Sequence, residues 1–396
     1  MAPDEASMLK AGIAAIMLDS GTLQQLASLV HPTEELKQAG YVVTKLTQDE
    51  LEQKKRCATC GVRIGKVRRM RDRQNRARQQ QPQPANALPP GSEDSSASAS
   101  GNATHPNDDN NARRNSVMRC HFHPGRVQFK AWTCCGKHVA EAPCTSKEDH
   151  DPPEEQDRTI EQRWQFHHTT LATRFSHRPA VAIDCEMGTA FDGASELIRL
   201  TLIDYFSGET LIDSLVYPDV EMQHFNTRWS GITRREMEKS RRQRQCIMGR
   251  NAARARVFRY VGSSTIVVGH GAQNDLSSLR WIHHRIVDSY MVEAAMRKEA
   301  RLKEEQEKKE KERGKSEEGG QPEEGDQPQE DDKPKEGGPV NRQKRSKHHP
   351  DGMSLKALAM RRLGRAIQMG NKGHDSLEDA LAARDLIHAH IASLAQ

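Results

Sequence analysis

The chain has 396 residues, with 60 Lys and Arg against 55 Asp and Glu and a formal charge of +5. Apolar residues are 35% of the total, and the aromatics are 4 Trp, 5 Tyr and 8 Phe. That is thin for one large core, so part of the chain is expected not to fold. No apolar run approaches the roughly 18 residues of a membrane span, and the start, MAPDEASMLK, is acidic where a signal peptide is basic. These features predict a soluble intracellular protein, and the mild basic excess fits a nucleic-acid partner.

In chain order, residues 1–56 form an N-terminal helical segment. Apolar residues recur at helical spacing at Met8, Ile13, Ile16, Met17, Leu23, Leu26 and Leu29. A strand signal follows at Gly40–Val43, then a threonine-capped turn or helix in TQDELEQ. Residues 57–150 hold six of the eight cysteines. Within them, residues 79–117 contain no aromatic and read as a disordered linker, because such a stretch cannot offset its ordering entropy by burial. Residues 178–396 predict a second globular domain. Strands are expected at Pro179–Met187, Leu197–Tyr205, Thr210–Tyr217, Thr265–Val268 and Arg285–Asp288, and helices at Asp275–Arg280 and from Asp375 onward. Between them, residues 301–350 carry 27 charged side chains, with Leu302 and Val340 the only larger apolar ones. A disordered charged insertion is predicted over 299–350, with a helical beginning around KEEQEKKEKER, where Glu and Lys fall at i,i+4. Mixed strands followed by helices give an α/β layer architecture with its chemistry at strand ends.

Asp184 and Glu186 stand two apart in an otherwise apolar strand, so alternation aims both carboxylates at one face and Cys185 at the other. Paired carboxylates in a core are costly unless a cation neutralises them. Hard divalent ions such as Mg²⁺ or Mn²⁺ take oxygen ligands of this kind. Asp275 lies where a strand gives way to a helix, and Asp379 opens the last helix five residues after His374. Each of the two could also be a helix cap or first-turn acid.

Together these segments carry a resemblance. AIDCEM around Asp184 and Glu186, VVGHGAQNDLSSLR around Asp275 and GHDSLEDALAA around His374 and Asp379 resemble the three motifs of the DEDDh 3′-to-5′ exoribonucleases. HFNTRWSGIT (His224–Thr233), IVDS (Ile286–Ser289) and SLKALAMRRLG (Ser354–Gly364) match in order. The similarity is to the Rex group and, with the cysteine-rich region in front, to its fungal RNA exonuclease 3 type. The resemblance implies a ribonuclease H-like exonuclease domain with a mixed sheet, preceded by a small zinc-bound module. It implies two Mg²⁺ or Mn²⁺ held by Asp184, Glu186, Asp275 and Asp379, with His374 as general base toward the attacking water. Met187 would meet the terminal base or sugar. His270, Gln273 and Asn274 are expected to shape the strand-to-helix turn.

The cysteines ahead of this domain run Cys57-x₂-Cys60, Cys120-x₂-His123, Cys134-Cys135, Cys144 and then His150. Structural disulfides are rare inside cells, so thiolate ligation of Zn²⁺ is the stronger reading. Eight ligands suffice for one or two tetrahedral sites of three Cys and one His, and spacing alone does not say which four share an ion. His121 and His138 are alternates. The segment from Cys120 to His150 resembles the second half of the cysteine- and histidine-rich domains called CHORD, which are interaction modules and so suggest a protein partner.

Arg63 to Arg78 (RIGKVRRMRDRQNRAR) carries eight basic residues and one acid. Arg63, Arg68 and Arg69 are candidate phosphate contacts, and the run reads equally as a nuclear signal or a solvated charge run. The function expected is a metal-dependent exoribonuclease trimming the 3′ ends of structural non-coding RNA precursors, ribosomal RNA among them, in nucleus and cytoplasm. The alternatives are a zinc-dependent adaptor with a passenger nuclease domain and a DNA 3′-to-5′ exonuclease.

Overall fold

The computed structural model of the protein describes residues 15–65, 118–151, 159–170, 177–318, 352–370 and 373–394. Its centre is a seven-stranded sheet of β1 (Ala180–Ala190), β2 (Ser195–Asp204), β3 (Thr210–Tyr217), β4 (Met222–His224), β5 (Ile247–Met248), β6 (Ile266–Gly269) and β7 (Ile286–Asp288). The spatial order is β5-β3-β2-β1-β6-β7, with β4 paired to the far end of β1. β2 is antiparallel to both its neighbours, and β6 and β7 run parallel to β1. This is the mixed, ribonuclease H-like sheet that the resemblance implies. β6 is buried at all four residues, as a parallel strand covered on both faces must be.

Alternation along β1 feeds two cores. Val181, Ile183 and Cys185 join a cluster with Leu200, Leu202, Leu276 and Trp281 on one face. Ala180 and Ala182 join Ile203, Val268, Ala380, Ile387 and Ile391 on the other. The helices that cover the sheet and carry the site are α4 (Gln273–Ser278), α5 (Ser289–Glu318), α6 (Leu355–Leu363) and α7 (Ser376–Leu394), numbered after three short helices in residues 15–65. α7 packs directly on β1, the small side chain of Ala380 meeting Ala180 and Ala182 and letting it approach closely.

The N-terminal segment adds to both cores. α1 (Ser20–Ser28) inserts Leu26 on the α7 side, and α2 (Thr33–Gln38) inserts Leu36 on the other. Each is fully buried, which contributes about 1.5–3 kcal/mol per side chain. The helix starts at Ser20, with Asp19 as its cap, rather than upstream. Ile16 lies ahead of the helix, its N–H donating to Phe206 O at 2.8 Å, and Met17 is 77% exposed. Met8 and Ile13 lie outside the described residues. The Gly40–Val43 strand signal forms no strand: Tyr41 and Val43 lie across the face of the sheet, where no backbone edge is open to pair with them. Thr47 and Glu50 form a capping box on α3 (Gln48–Glu52).

The helical beginning expected around KEEQEKKEKER lies within α5, which continues to Glu318, supported by pairs such as Lys303 Nζ to Glu299 Oε1 at 2.9 Å, one turn apart. The remainder of the insertion and the 79–117 linker lie outside the described residues. Among the described residues no helix is long and apolar enough to cross a membrane.

Candidate active site and metal centres

β6 pairs with β1 only at Ala180–Ala182, and β4 takes up the same edge at Thr189. Between them the edge of β1 is open, just beyond the carboxyl end of β6 where the strand order turns back, the place at which open α/β sheets bind ligands. Asp184 and Glu186 stand in this gap on the face that α7 covers. Asp275, in the first turn of α4, fills part of the gap by accepting the Cys185 N–H at 3.1 Å, a donor that β6 would have satisfied had it run further. Asp379, in the first turn of α7, closes the other side. Glu186, Asp275 and Asp379 are 8%, 5% and 4% exposed.

Four acids in one desolvated cleft raise one another's pKa. Asp184 is held well above the carboxylate range by burial and then by the charges of Asp275, Asp379 and Glu186. Glu186 is pushed up to about 8 by burial and then by Asp379, and Asp275 to about 8 by burial, against the Cys185 N–H bond. Asp379 reaches about 6, raised by burial and lowered by Gln368 and His374. An all-oxygen donor set carrying this much unrelieved negative charge fits hard divalent cations.

His374 Nδ1 lies 3.6 Å from Asp379 Oδ2, and its side chain is 41% exposed to the cleft. It stands on a glycine hinge: Gly373 has φ +87°, and a Cβ there would overlap the backbone of Gly231. The His374 N–H donates to Trp229 O at 2.6 Å, and the two rings meet edge-on with centroids 6.4 Å apart. Arg228, Trp229, Lys356, Gln368, Gly370 and His374 line a cavity of about 390 Å³ beside the acids.

Met187 is half-buried and packs on the core, while its carbonyl accepts from Asn226 Nδ2 at 3.0 Å. His270 Nδ1 meets Ser289 Oγ at 2.9 Å. Gln273 opens α4, and Asn274 beside it is exposed. Arg63 is exposed, far in sequence from the acids, and Arg68 and Arg69 lie outside the described residues.

Several site residues escaped the sequence reading. Gln368 Nε2 donates to both oxygens of Asp379, at 3.1 and 3.0 Å. Arg199, opposite Glu186 in the β1–β2 ladder, pairs with Asp213 and Asp375. As the lone cation in the apolar LIRLTLID strand it carried a readable signal. Asp288 accepts from Tyr41 Oη at 2.5 Å and from the N–H groups of Gly271, Ala272 and Tyr290, fixing the turn that leads into α4.

The eight cysteine and histidine ligands fall into two separate groups, Cys57, Cys60, Cys120 and His150, and His123, Cys134, Cys135 and Cys144. In each, the four donor atoms lie within 4.8 Å of one another. Sγ–Sγ distances are 3.8 Å (Cys57 to Cys120) and 3.6 Å (Cys134 to Cys144). Sγ to imidazole distances are 3.2 Å (Cys60 to His150), 3.6 Å (Cys134 to His123) and 3.5 Å (Cys135 to His123). A tetrahedral ion with sulfur at about 2.3 Å and nitrogen at about 2.0–2.1 Å sets edges of about 3.8 and 3.6 Å, so either group could hold a metal ion. His121 and His138 join neither. The four carboxylates are more widely spread, and among the described residues such convergence of donors occurs only in the two cysteine groups.

The first group abuts the sheet. Arg56 Nη1 donates to Gly61 O at 2.8 Å, and Gly61 lies against Asp192 and Gly193 in the β1–β2 turn. From the second group's side, Arg126 pairs with Glu221 at 2.8 Å.

No family model matches the chain. It is 29% identical over 272 residues to "RNA exonuclease 3" of Candida albicans, covering 68% of this chain and 53% of that protein. The chain is similar to fungal RNA exonuclease 3. The "RNA exonuclease 3" of Emericella nidulans is 27% identical over 384 residues, 91% of this chain and 50% of that protein. The chain thus spans about half the length of these RNA exonuclease 3 relatives. Among solved structures, the Pan2 catalytic unit (protease and nuclease domain) of Neurospora crassa aligns over 61% of this chain and 34% of that one, at 16% identity and a TM-score of 0.36.

Proposed function

We propose that the protein is a metal-dependent 3′-to-5′ exoribonuclease that trims the 3′ ends of structural non-coding RNA precursors and releases nucleoside 5′-monophosphates. The observation that carries the reading is the gathering of Asp184, Glu186, Asp275 and Asp379 at the open edge of β1, with His374 beside Asp379. Similarity to proteins named for RNA exonuclease activity supports it.

Asp184, Glu186, Asp275 and Asp379 would hold two Mg²⁺ or Mn²⁺, which when bound supply Lewis-acid activation of water and stabilise charge on the leaving oxygen. His374 takes the proton of the attacking water. With Nδ1 turned to Asp379, its Nε2 is left for that task. Gln368 steadies Asp379, and Arg199 tempers the charge beside Glu186. Trp229, 60% exposed at the rim of the cavity, offers a face on which a terminal base can stack, with Arg228 and Lys356 near enough to meet phosphates. The two cysteine groups would each hold one Zn²⁺, fixing the module against the β1–β2 turn and presenting a surface for a protein partner. The protein is proposed to act in the nucleus and cytoplasm.

The test is incubation with 3′-labelled RNA and DNA oligomers in Mg²⁺, Mn²⁺ or EDTA, followed by product sizing. Labelled mononucleotide from RNA, abolished by EDTA, is the expected result. Internal cleavage, or activity on DNA alone, would overturn the assignment.

A further inference from the structure

A second groove, of about 340 Å³, runs between the Gly40–Leu46 segment, α3 and Arg63. Its Tyr41 wall is joined to the candidate active site through one hydrogen bond. Tyr41, which lines it, is hydrogen-bonded to Asp288, the residue that fixes the turn into α4 and so the position of Asp275. Gly40, also in its wall, lies against the side chain of Gln273.

The groove is cationic. Lys37, Lys54 and Arg63 line it, and none has a carboxylate partner among the described residues. The one acid in the lining, Glu50, is committed to the α3 capping box with Thr47. Behind the wall the excess continues. Lys54 Nζ and the Arg280 guanidinium both face the Trp164 ring, 4.6 and 3.8 Å from its centroid. Arg163, beside Trp164, is already paired with Asp192 and Glu196. The crowding is felt by the groups themselves: burial, then Arg63 and Arg280, lowers the Lys54 pKa, and burial, then Arg63, lowers that of Arg56. Three cations against the one Glu50 carboxylate along a polar groove leave a positive excess of the kind a polyanion neutralises.

We propose that this groove carries the sugar–phosphate backbone of RNA upstream of the reacting 3′ end, with Lys37, Lys54 and Arg63 as phosphate contacts. The proposal rests on the exonuclease reading, because it is the link from Tyr41 through Asp288 to the turn ahead of Asp275 that makes RNA its occupant rather than an acidic peptide. Arg63 also opens the basic run that extends to Arg78, so the track begins where the chain becomes most cationic.

Binding is measured on full-length protein carrying Asp184→Asn, with a fluorescent 20-nucleotide single-stranded RNA and anisotropy as readout, so that turnover is not needed. Adding Lys37→Gln, Lys54→Gln and Arg63→Gln is expected to weaken binding about tenfold or more in low salt. It should also flatten the slope of log affinity against log salt by about 2, since each phosphate contact to a single strand contributes about 0.7. Lys54 is half-buried on Trp164, so the pair Lys37→Gln/Arg63→Gln, both exposed, repeats the test where the triple variant melts early, with a slope change of about 1.4 expected. Unchanged affinity and slope in the well-folded pair would overturn the groove assignment whatever the activity, as would a poly-glutamate peptide that binds as tightly as RNA and competes with it. Failure of the wild-type protein to degrade a trinucleotide in Mg²⁺ would instead overturn the exonuclease reading and leave the binding result to decide the groove.

Discussion

Glu186→Gln isolates the physical tension in the candidate site. Burial and Asp379 push the Glu186 carboxyl from the ordinary 4.5 up to about 8, so the folded protein holds a proton that the unfolded chain releases. The contribution of Glu186 to the stability of the metal-free protein is therefore fully present below about pH 4.5 and is lost as pH rises to about 8, the reverse of an ordinary paired carboxylate. At about 1.4 kcal/mol per pKa unit, the penalty by pH 9 is at most about 5 kcal/mol. Water admitted to the cleft and small movements of the carboxylates reduce it, and about 2 kcal/mol corresponds to roughly 4–8 °C in Tm for a domain of this size. Gln keeps the shape and removes the charge. In EDTA, the variant should melt several degrees above the wild type at pH 8–9 and level with it at pH 4.5. Mg²⁺ should raise the wild-type Tm at pH 8 more than the variant's. Differential scanning fluorimetry across pH 4.5–9 reads all three. A variant that melts lower than wild type at pH 8, or keeps the wild-type pH dependence, would refute the argument that these acids share an uncompensated cleft.

Three further outcomes are expected. His374→Ala should lower kcat by 10²–10⁴-fold, the range for a general base, while leaving Mg²⁺ affinity by calorimetry within a few-fold of wild type; loss of metal binding would assign His374 to the metal instead. Gly373→Ala forces an L side chain into φ +87° against Gly231 and should cost about 1–3 kcal/mol in stability while displacing His374, so kcat falls more than KM rises. Unaltered kinetics would show that the hinge does not set His374. Cys57→Ser and Cys134→Ser should each release one of two zinc ions by elemental analysis, and the pair should release both. Release of both ions by either single change would contradict two independent groups.

Much of this was legible before the fold was known, because β1 alternates so strictly. Val181, Ile183 and Cys185 serve one core while Asp184 and Glu186 continue the face begun by Ala180 and Ala182, so two acids in an apolar strand already implied a shared, desolvated face. The helical start of the insertion was signalled by its Glu–Lys spacing, but its extent to Glu318 was not, since composition reports what cannot pack and says little about local helix propensity. Gly40–Val43 has strand composition without being a strand, because a ladder needs an open edge and this segment lies on a face. The partition of the eight cysteine and histidine donors was hidden for a related reason: Cys57 and Cys120 are 63 residues apart and meet only in the fold. Gln368 carried no signal, as its role depends wholly on where α7 places Asp379.

The central claim, that the acids at the open edge of β1 form a metal-dependent exonuclease site, is tested most directly by one comparison. Wild-type and Asp184→Asn proteins, matched in Tm, are incubated with a 3′-labelled single-stranded RNA in Mg²⁺, with an EDTA control. The account predicts release of the 3′ label as mononucleotide by the wild type, none in EDTA, and none by Asp184→Asn. Mg²⁺-dependent degradation by the folded Asp184→Asn protein at a rate near that of the wild type would contradict it.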